Sequence, residues 1–452
     1  MTRDMTKGSC AKLILGFAVP LFFGFLFQQF YNLVDTVIVG RFLGVDELAS
    51  VGATGSVNFL IIGFCMGVCN GFSIPVAHKF GAGDYSGMRR YVANCVWLGI
   101  GFSVVLTAVT TCLCRSVLLW MRTPENIFEN AYTYIFIILL GIPATFLYNI
   151  VSGMIRALGD SKTPVVFLVL SSFLNIGMDL LFILKLHMGV DGAAWATVIA
   201  QGLAGIGCLL FMIRRFEILH VRREEWAPNG HMMAVLCGMG VPMGLQYSIT
   251  AIGSVILQSA TNTLGSTAVA AVTAGGKVSC FLACPFDALG STMATYGGQN
   301  VGAGRLDRIG PGLRASVLVG AVYSVLAFLI ILFGGEWIAG LFVERTEYAI
   351  IGSVRQYLLF NTAAYLLLGL VNIVRFLIQG MGFANFAILA GVLEMTARTL
   401  VGVVLVPRLG FLGVCMGNPA AWILADAFLI PAYFIVCKTL RKRFNTQSSA
   451  SS

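Results

Sequence analysis

Apolar residues in this chain come in long unbroken runs. They do not show the alternation of half-buried strands or the three-to-four spacing of surface helices. Twelve runs approach or exceed the roughly 20 residues that carry a helix across a bilayer. They span 13–39, 48–75, 92–113, 131–153, 164–185 and 190–213, then 232–262, 268–298, 313–334, 351–378, 385–406 and 411–437. The pattern predicts an all-α integral membrane protein with twelve transmembrane helices. The first, second, seventh and eighth runs are longer than a bilayer needs, so those helices are expected to tilt, bend or extend beyond it. The longest polar stretch, 214–231, separates six runs from six. It predicts a linker between an N-terminal lobe, 1–213, and a C-terminal lobe, 232–437. The last segment, 438–452, ends in Gln-Ser-Ser-Ala-Ser-Ser and is expected to be a disordered tail.

Composition removes most other classes. Of 452 residues, 58% are hydrophobic and 11% charged, where soluble domains carry about 45–50% apolar and about 25% charged residues. A soluble enzyme and a nucleic-acid binder are excluded, and the net charge of +9 does not reverse that, because the bases lie between the apolar runs. Most of the 29 Lys and Arg fall on the side that holds both termini and the linker, among them Arg89, Arg90, Arg156, Arg214, Arg215, Arg222 and Arg223. The positive-inside rule places that side in the cytoplasm of a cell membrane. The twelve cysteines are scattered through apolar runs, as buried small hydrophobes are, with neither a disulfide framework nor metal-ligand spacing. No phosphate-binding loop and no Ser/His/Asp arrangement stands out, so the chain reads as no enzyme, without cofactor, and driven if at all by an ion gradient.

The two halves repeat at a shift of about 221 residues. Gly16-Phe-Ala-Val-Pro20 matches Gly238-Met-Gly-Val-Pro242, and Leu43-Gly44 matches Leu264-Gly265. Ala77-His-Lys-Phe-Gly-Ala-Gly83 matches Gly298-Gln-Asn-Val-Gly-Ala-Gly304, and Arg156-Ala-Leu-Gly159 matches Gln379-Gly-Met-Gly382. Because each half has six helices, both enter from the same side and form parallel repeats.

These paired signatures, with Arg156-Ala-Leu-Gly-Asp-Ser-Lys-Thr-Pro164, resemble the multidrug and toxic compound extrusion (MATE) family over about residues 10–437. The resemblance implies two six-helix lobes around a V-shaped cavity. It also implies export of organic cations and other drugs against inward flow of Na⁺ or H⁺, by a protein expected to act as a monomer.

Ionisable residues inside a membrane need a reason, since an acid at a helix centre costs about 2.5–3.5 kcal/mol on insertion scales. Asp35 lies in a polar patch in which Gln28, Asn32 and Asp35 are spaced at four and three, sharing one helical face. Asn175 and Asp179 are i and i+4, and Thr197 can add a hydroxyl from the next helix. Carboxylate, amide and hydroxyl oxygens suit a hard cation, and a carboxylate equally suits a proton. The resemblance to the DNA-damage-inducible branch assigns ion coupling, by H⁺ or Na⁺, to Asp35, Asn175, Asp179 and Thr197. The other large branch has an acidic pair in helices 7 and 10, and this chain has no acid in either.

By local alignment Asn175 falls opposite Glu394, and Asp179 opposite Arg398; the latter two are i, i+4 and read as a self-neutralised structural pair. Asp287, with Phe281 and Phe286, could attract a cationic drug; these three join Gln28 and Asn32 as candidate cavity residues. Asp426 receives no role. Pro20 shares its helix with Asp35 and is a candidate hinge. Two rival readings remain: a lipid-linked oligosaccharide flippase, which would need bases in the cleft to hold a pyrophosphate, and a channel or receptor.

Overall fold

The structure is a computed structural model and describes residues 3–342 and 347–450. Every regular element among the described residues is helical. In the first half these are α1 (Cys10–Phe42), α2 (Val45–Gly81), α3 (Tyr85–Trp120), α4 (Glu125–Leu140), α5 (Ile142–Ala157), α6 (Lys162–Leu180) and α7 (Val190–Arg215). The second half holds α8 (Gly230–Asn262), α9 (Ser266–Gly302), α10 (Ile309–Ala339), α11 (Tyr348–Ala363), α12 (Tyr365–Gly380) and α13 (Asn385–Leu400). It closes with α14 (Val406–Leu409), α15 (Phe411–Cys415) and α16 (Gly417–Ala450).

Among the described residues, ten helices are long and apolar enough to cross a membrane, and two bent pairs bring the spans to twelve. The pairs are α4–α5, bent by 42°, and α11–α12, bent by 49°; each lies where a single helix was expected. At the first bend, the Gly141 amide donates to Ile137 and Ile138 at once, and Pro143 has no amide to continue the ladder. At the second no proline is present. The Ala364 amide tightens onto Asn361, and Leu367 and Leu368 both donate back to Ala364.

Side chains sort as a lipid solvent requires. On α10, Ser316, Gly320, Ser324, Ala327, Ile331, Gly335 and Ala339 are buried, while Leu318, Val322, Val325, Leu329 and Phe333 are exposed. Both stripes step by three and four. Small residues let neighbouring backbones approach, and large apolar ones face outward. The soluble pattern is thereby turned inside out.

The chain forms two compact units. The first comprises Phe23–Gly244 with the described residues up to Asp4; the second comprises Met5–Phe22 with the described residues from Leu245 onward. The sequence suggested a division in the loop 214–231. Instead the boundaries fall inside α1 and α8, each two residues beyond a helix-internal proline, Pro20 and Pro242. The segment 214–231 belongs wholly to the first unit. It is pinned there by Arg89, whose guanidinium grips Glu225 at 2.7 and 2.9 Å, and by Asn94, which accepts the Asn229 amide. The expected disordered tail is also revised: α16 continues through Ala450, because its Ala, Lys and Arg positions are good helix formers and no breaker intervenes. Ser451 and Ser452 lie outside the described residues.

Backbone detail supports the repeat. Gly83 and Gly304 have φ of 72° and 70°, and Gly159 and Gly382 have 84° and 96°. These left-handed turns are why glycine recurs at both members of each pair. A π-helical stretch follows α6 at Leu181–Lys185 and α13 at Val401–Leu405, a correspondence that apolar periodicity does not reveal.

Candidate functional site

Within the first unit, α6 buries a polar stripe. Ser172, Asn175 and Asp179 are enclosed, while Val166, Leu170, Phe173 and Leu174 are exposed. Asp179 is fully buried, one residue before the π-helical end of α6 and Asn175 is 2% exposed. π-Stretches occur frequently at functional sites, since the extra residue re-aims the side chains around it. Here it follows the one carboxyl on the buried stripe.

The four residues assigned to ion coupling come together. The Asp179 and Asp35 carboxyl groups lie close enough to act on each other electrostatically, setting α6 beside α1. Asn175 Nδ2 donates to Thr197 Oγ1 at 3.2 Å, and that hydroxyl also donates to the Ala193 carbonyl at 3.1 Å. Asp35 Oδ1 is buried and accepts no hydrogen bond among the described residues. Two carboxyl groups can hydrogen-bond only when one of them carries a proton, because an ionised carboxylate has no donor. Remove the proton, and a cation between the oxygens is the remaining way to hold them together.

Two tyrosines that sequence reasoning passed over complete the cluster. Tyr31 Oη lies 3.5 Å from Thr197 Oγ1, and Tyr134 is 7% exposed and packs close to both acids. Tyr31 carried a usable signal, being one helical turn before Asp35. Tyr134 carried none, since it enters from α4 across the bundle. One face of α1 therefore carries half-buried Gln28, Tyr31 and Asp35. Asn32 shares that face by its spacing and is exposed, and its carbonyl accepts the Thr36 hydroxyl. Beside the cluster lies a cavity of ≈160 Å³, lined in part by Gln28, Tyr31, Arg156, Asn175, Thr197 and Gln201.

The second unit handles its charges differently. Arg375 Nη1 donates to Glu394 Oε1 at 2.6 Å, and Arg398 Nη2 reaches Glu394 Oε2 at 3.5 Å. The expected Glu394–Arg398 pair is present, but Arg375 makes the shorter bond. Arg375 also donates to Asn372 Oδ1 at 3.0 Å, and Asn372 donates to Asp287 Oδ1 at 3.3 Å. Asp287 is thus tied through an amide to an arginine, yet its side chain remains exposed. Phe281 is half-buried. Phe286 does not fit a cargo surface: it is fully buried, with Tyr323 and Tyr365 edge-on at 5.3 and 5.6 Å. It packs α9, α10 and α12 together, while the next residue, Asp287, reaches Asn372 on α12.

The MatE family model matches residues 20–181 and 242–404, once in each half. The chain is 29% identical over 286 residues to the probable multidrug resistance protein YpnP of Bacillus subtilis (strain 168), covering 62% of this chain and 63% of that protein. It is 28% identical over 196 residues to the DNA damage-inducible protein F of Escherichia coli (strain K12), covering 43% and 42%. The chain therefore spans less than two thirds of the length of these curated relatives. Among solved structures, the outward-facing conformation of a multidrug resistance MATE family transporter of the MOP superfamily superposes with a TM-score of 0.91. That match has 21% identity and covers 97% of this chain and 98% of the other.

Proposed function

The chain belongs to the MatE family of membrane transporters, and from that membership we propose that it is a secondary active multidrug exporter, acting as a single chain in a cell membrane with both termini cytoplasmic. Its cargo is organic, with cationic compounds favoured. Asp287, exposed beside half-buried Phe281, offers such cargo an anionic and aromatic surface. The coupling ion binds at Asp35, Asn175, Asp179 and Thr197, with Tyr31 oriented onto the Thr197 hydroxyl.

The observation that carries this reading is the close approach of two membrane-embedded carboxyl groups, Asp35 and Asp179. Such a pair holds together only when a cation neutralises it. Two carboxyl groups this close can share a proton, so H⁺ is the favoured ion, and Na⁺ competes for the same oxygens. Loading pulls α1 toward α6; unloading sets two negative charges against each other and pushes α1 away. The lower half of α1, up to Phe22, belongs to the other unit, and Pro20 lies just before that boundary. A change in how α1 seats at Asp35 is thereby delivered to a kink that interrupts the helical ladder. Ion occupancy must differ between the two states of the cycle, or nothing is coupled.

The test is efflux of an ethidium-like cation from reconstituted vesicles, with pH and Na⁺ gradients imposed separately. A pH gradient alone should drive export, and Na⁺ at equal concentration on both sides should inhibit it. Export that needs neither gradient would refute secondary transport, and export driven only by Na⁺ would reverse the order of the two ions.

A further inference from the structure

A large cavity in the first unit lies away from the acids. It has ≈610 Å³, bounded by α3, α5 and α7 and roofed at one end by the 219–226 segment. That is about four times the ~150 Å³ apolar cavity that stays dry and takes up a benzene. Its walls are Val, Ile, Leu, Phe and Met, and its rare polar side chains are already engaged. Ser103 donates to the Ile100 carbonyl, and a His220 ring nitrogen is hydrogen-bonded to the Ile213 carbonyl. Water has nothing to hold there.

The roof is a built structure. Glu225 is gripped by Arg89 and Ser86, and Trp97 Nε1 donates to the Trp226 carbonyl at 3.0 Å. Both tryptophans are partly exposed, at 45% and 39%, beside the equally exposed Ile100 and Ile213. Tryptophans at one end of an apolar wall mark the depth of lipid headgroups. At that same end stand exposed Arg214, Arg215, Arg222 and Arg223. Counting Arg89 and Arg90 against Glu217, Glu224 and Glu225 leaves this rim with six bases and three acids.

We infer that this groove holds an acyl chain of an anionic phospholipid drawn from the leaflet on the linker side, with the headgroup phosphate held by the arginines at the end of α7 and in the linker. The apolar walls set the depth of the chain, and the arginine rim sets the preference for net negative charge, as juxtamembrane bases do at anionic surfaces. The lipid then braces α3, α5 and α7 against the linker that covers them.

The full chain is placed in phosphatidylcholine vesicles containing either a phosphatidylglycerol or a phosphatidylcholine probe with a diazirine in its acyl chain. After illumination, labelled peptides are mapped. The phosphatidylglycerol probe should label the peptides containing Ser103, Met154 or Met212 several-fold more than the phosphatidylcholine probe. Arg214→Ala with Arg215→Ala, both exposed positions, should bring the two probes to parity. Ile100→Trp, which fills the groove from its open side, should lower labelling by both. Equal labelling of the native protein by both probes overturns the headgroup assignment, and labelling indifferent to Ile100→Trp overturns the groove. Displacement of the probe by ethidium would assign the groove to cargo instead.

Discussion

The two units carry the same helices and opposite solutions to buried charge. In the first, α6 ends in a π-stretch just after Asp179, whose carboxyl comes close to that of Asp35. In the second, α13 ends in a matching π-stretch after Glu394 and Arg398, and Arg375 clamps the glutamate at 2.6 Å. Asp426 on α16 stands close to this ionic cluster, with both carboxyl oxygens buried and no hydrogen bond to them among the described residues. The second site thus supplies most of its own neutralising charge; on the coupling proposed above, the first takes it from solution. A fold duplicated in sequence would then dedicate one copy to exchange and the other to rigidity by changing a few residues on equivalent helices.

The comparison is broken most severely by removing the ion's ligand. Asp35→Asn should abolish gradient-driven efflux while the protein still purifies as a monodisperse species, since an amide can hydrogen-bond Asp179 but cannot release a proton. Grafting the second unit's chemistry into the first should do the same: Asn175→Glu with Asp179→Arg supplies an internal ion pair and leaves no place for a coupling ion. Efflux surviving in the grafted protein would mean that the first unit is not where coupling occurs.

The converse change attacks stability. Arg375→Met leaves Glu394 buried without its short bond and should destabilise the second unit by about 3–5 kcal/mol, as breaking a buried pair does. It would be read as a lower midpoint in thermal unfolding in detergent. Arg375→Met combined with Glu394→Gln should recover part of the loss. A smaller effect is expected at Tyr31→Phe, whose hydroxyl sits at a long 3.5 Å from Thr197. Export should slow by only a few-fold, with its pH dependence displaced, because the tyrosine orients a ligand and is not one itself.

The membrane class, the helix count and the duplication were legible because each rests on composition and repeated local pattern. So was the shared face of Asp179 and Asn175, four residues apart on one helix and both buried. The Asp35 to Asp179 contact came from the family pattern, since nothing local links residues 144 positions apart. The arginine at Glu394 was half legible. Arg398 is one turn away in sequence, whereas Arg375 arrives from another helix and makes the stronger bond. Phe286 illustrates the same limit: its neighbour Asp287 suggested a cargo surface, but Phe286 is enclosed by Tyr323 and Tyr365 while Asp287 is exposed. The unit boundaries were hidden because contact, not chain polarity, decides where α1 and α8 change allegiance.

The first unit does have a tight ion pair, but outside the membrane, and it marks the depth at which the comparison between the units ends. The Arg89 guanidinium, hydrogen-bonded to Glu225, pulls that carboxyl from its ordinary 4.5 down to about 2, helped by the Arg222 amide and the Ser86 hydroxyl. A depressed folded-state value means that the interaction contributes its full stability above about 4.5 and loses it as the pH falls toward 2. Linker amides around 217–229 should therefore keep their protection from hydrogen exchange at neutral pH and lose it between those limits. Glu225→Gln should remove the pH dependence and loosen the linker at every pH by roughly the 1.5–3 kcal/mol of a charged hydrogen bond. Efflux driven by Asp35 and Asp179 should persist in that variant at neutral pH. Loss of transport on cutting this one surface pair would mean that the linker takes part in coupling, and the contrast between an exchanging cluster and a rigid one would have to include the loop that joins the two halves.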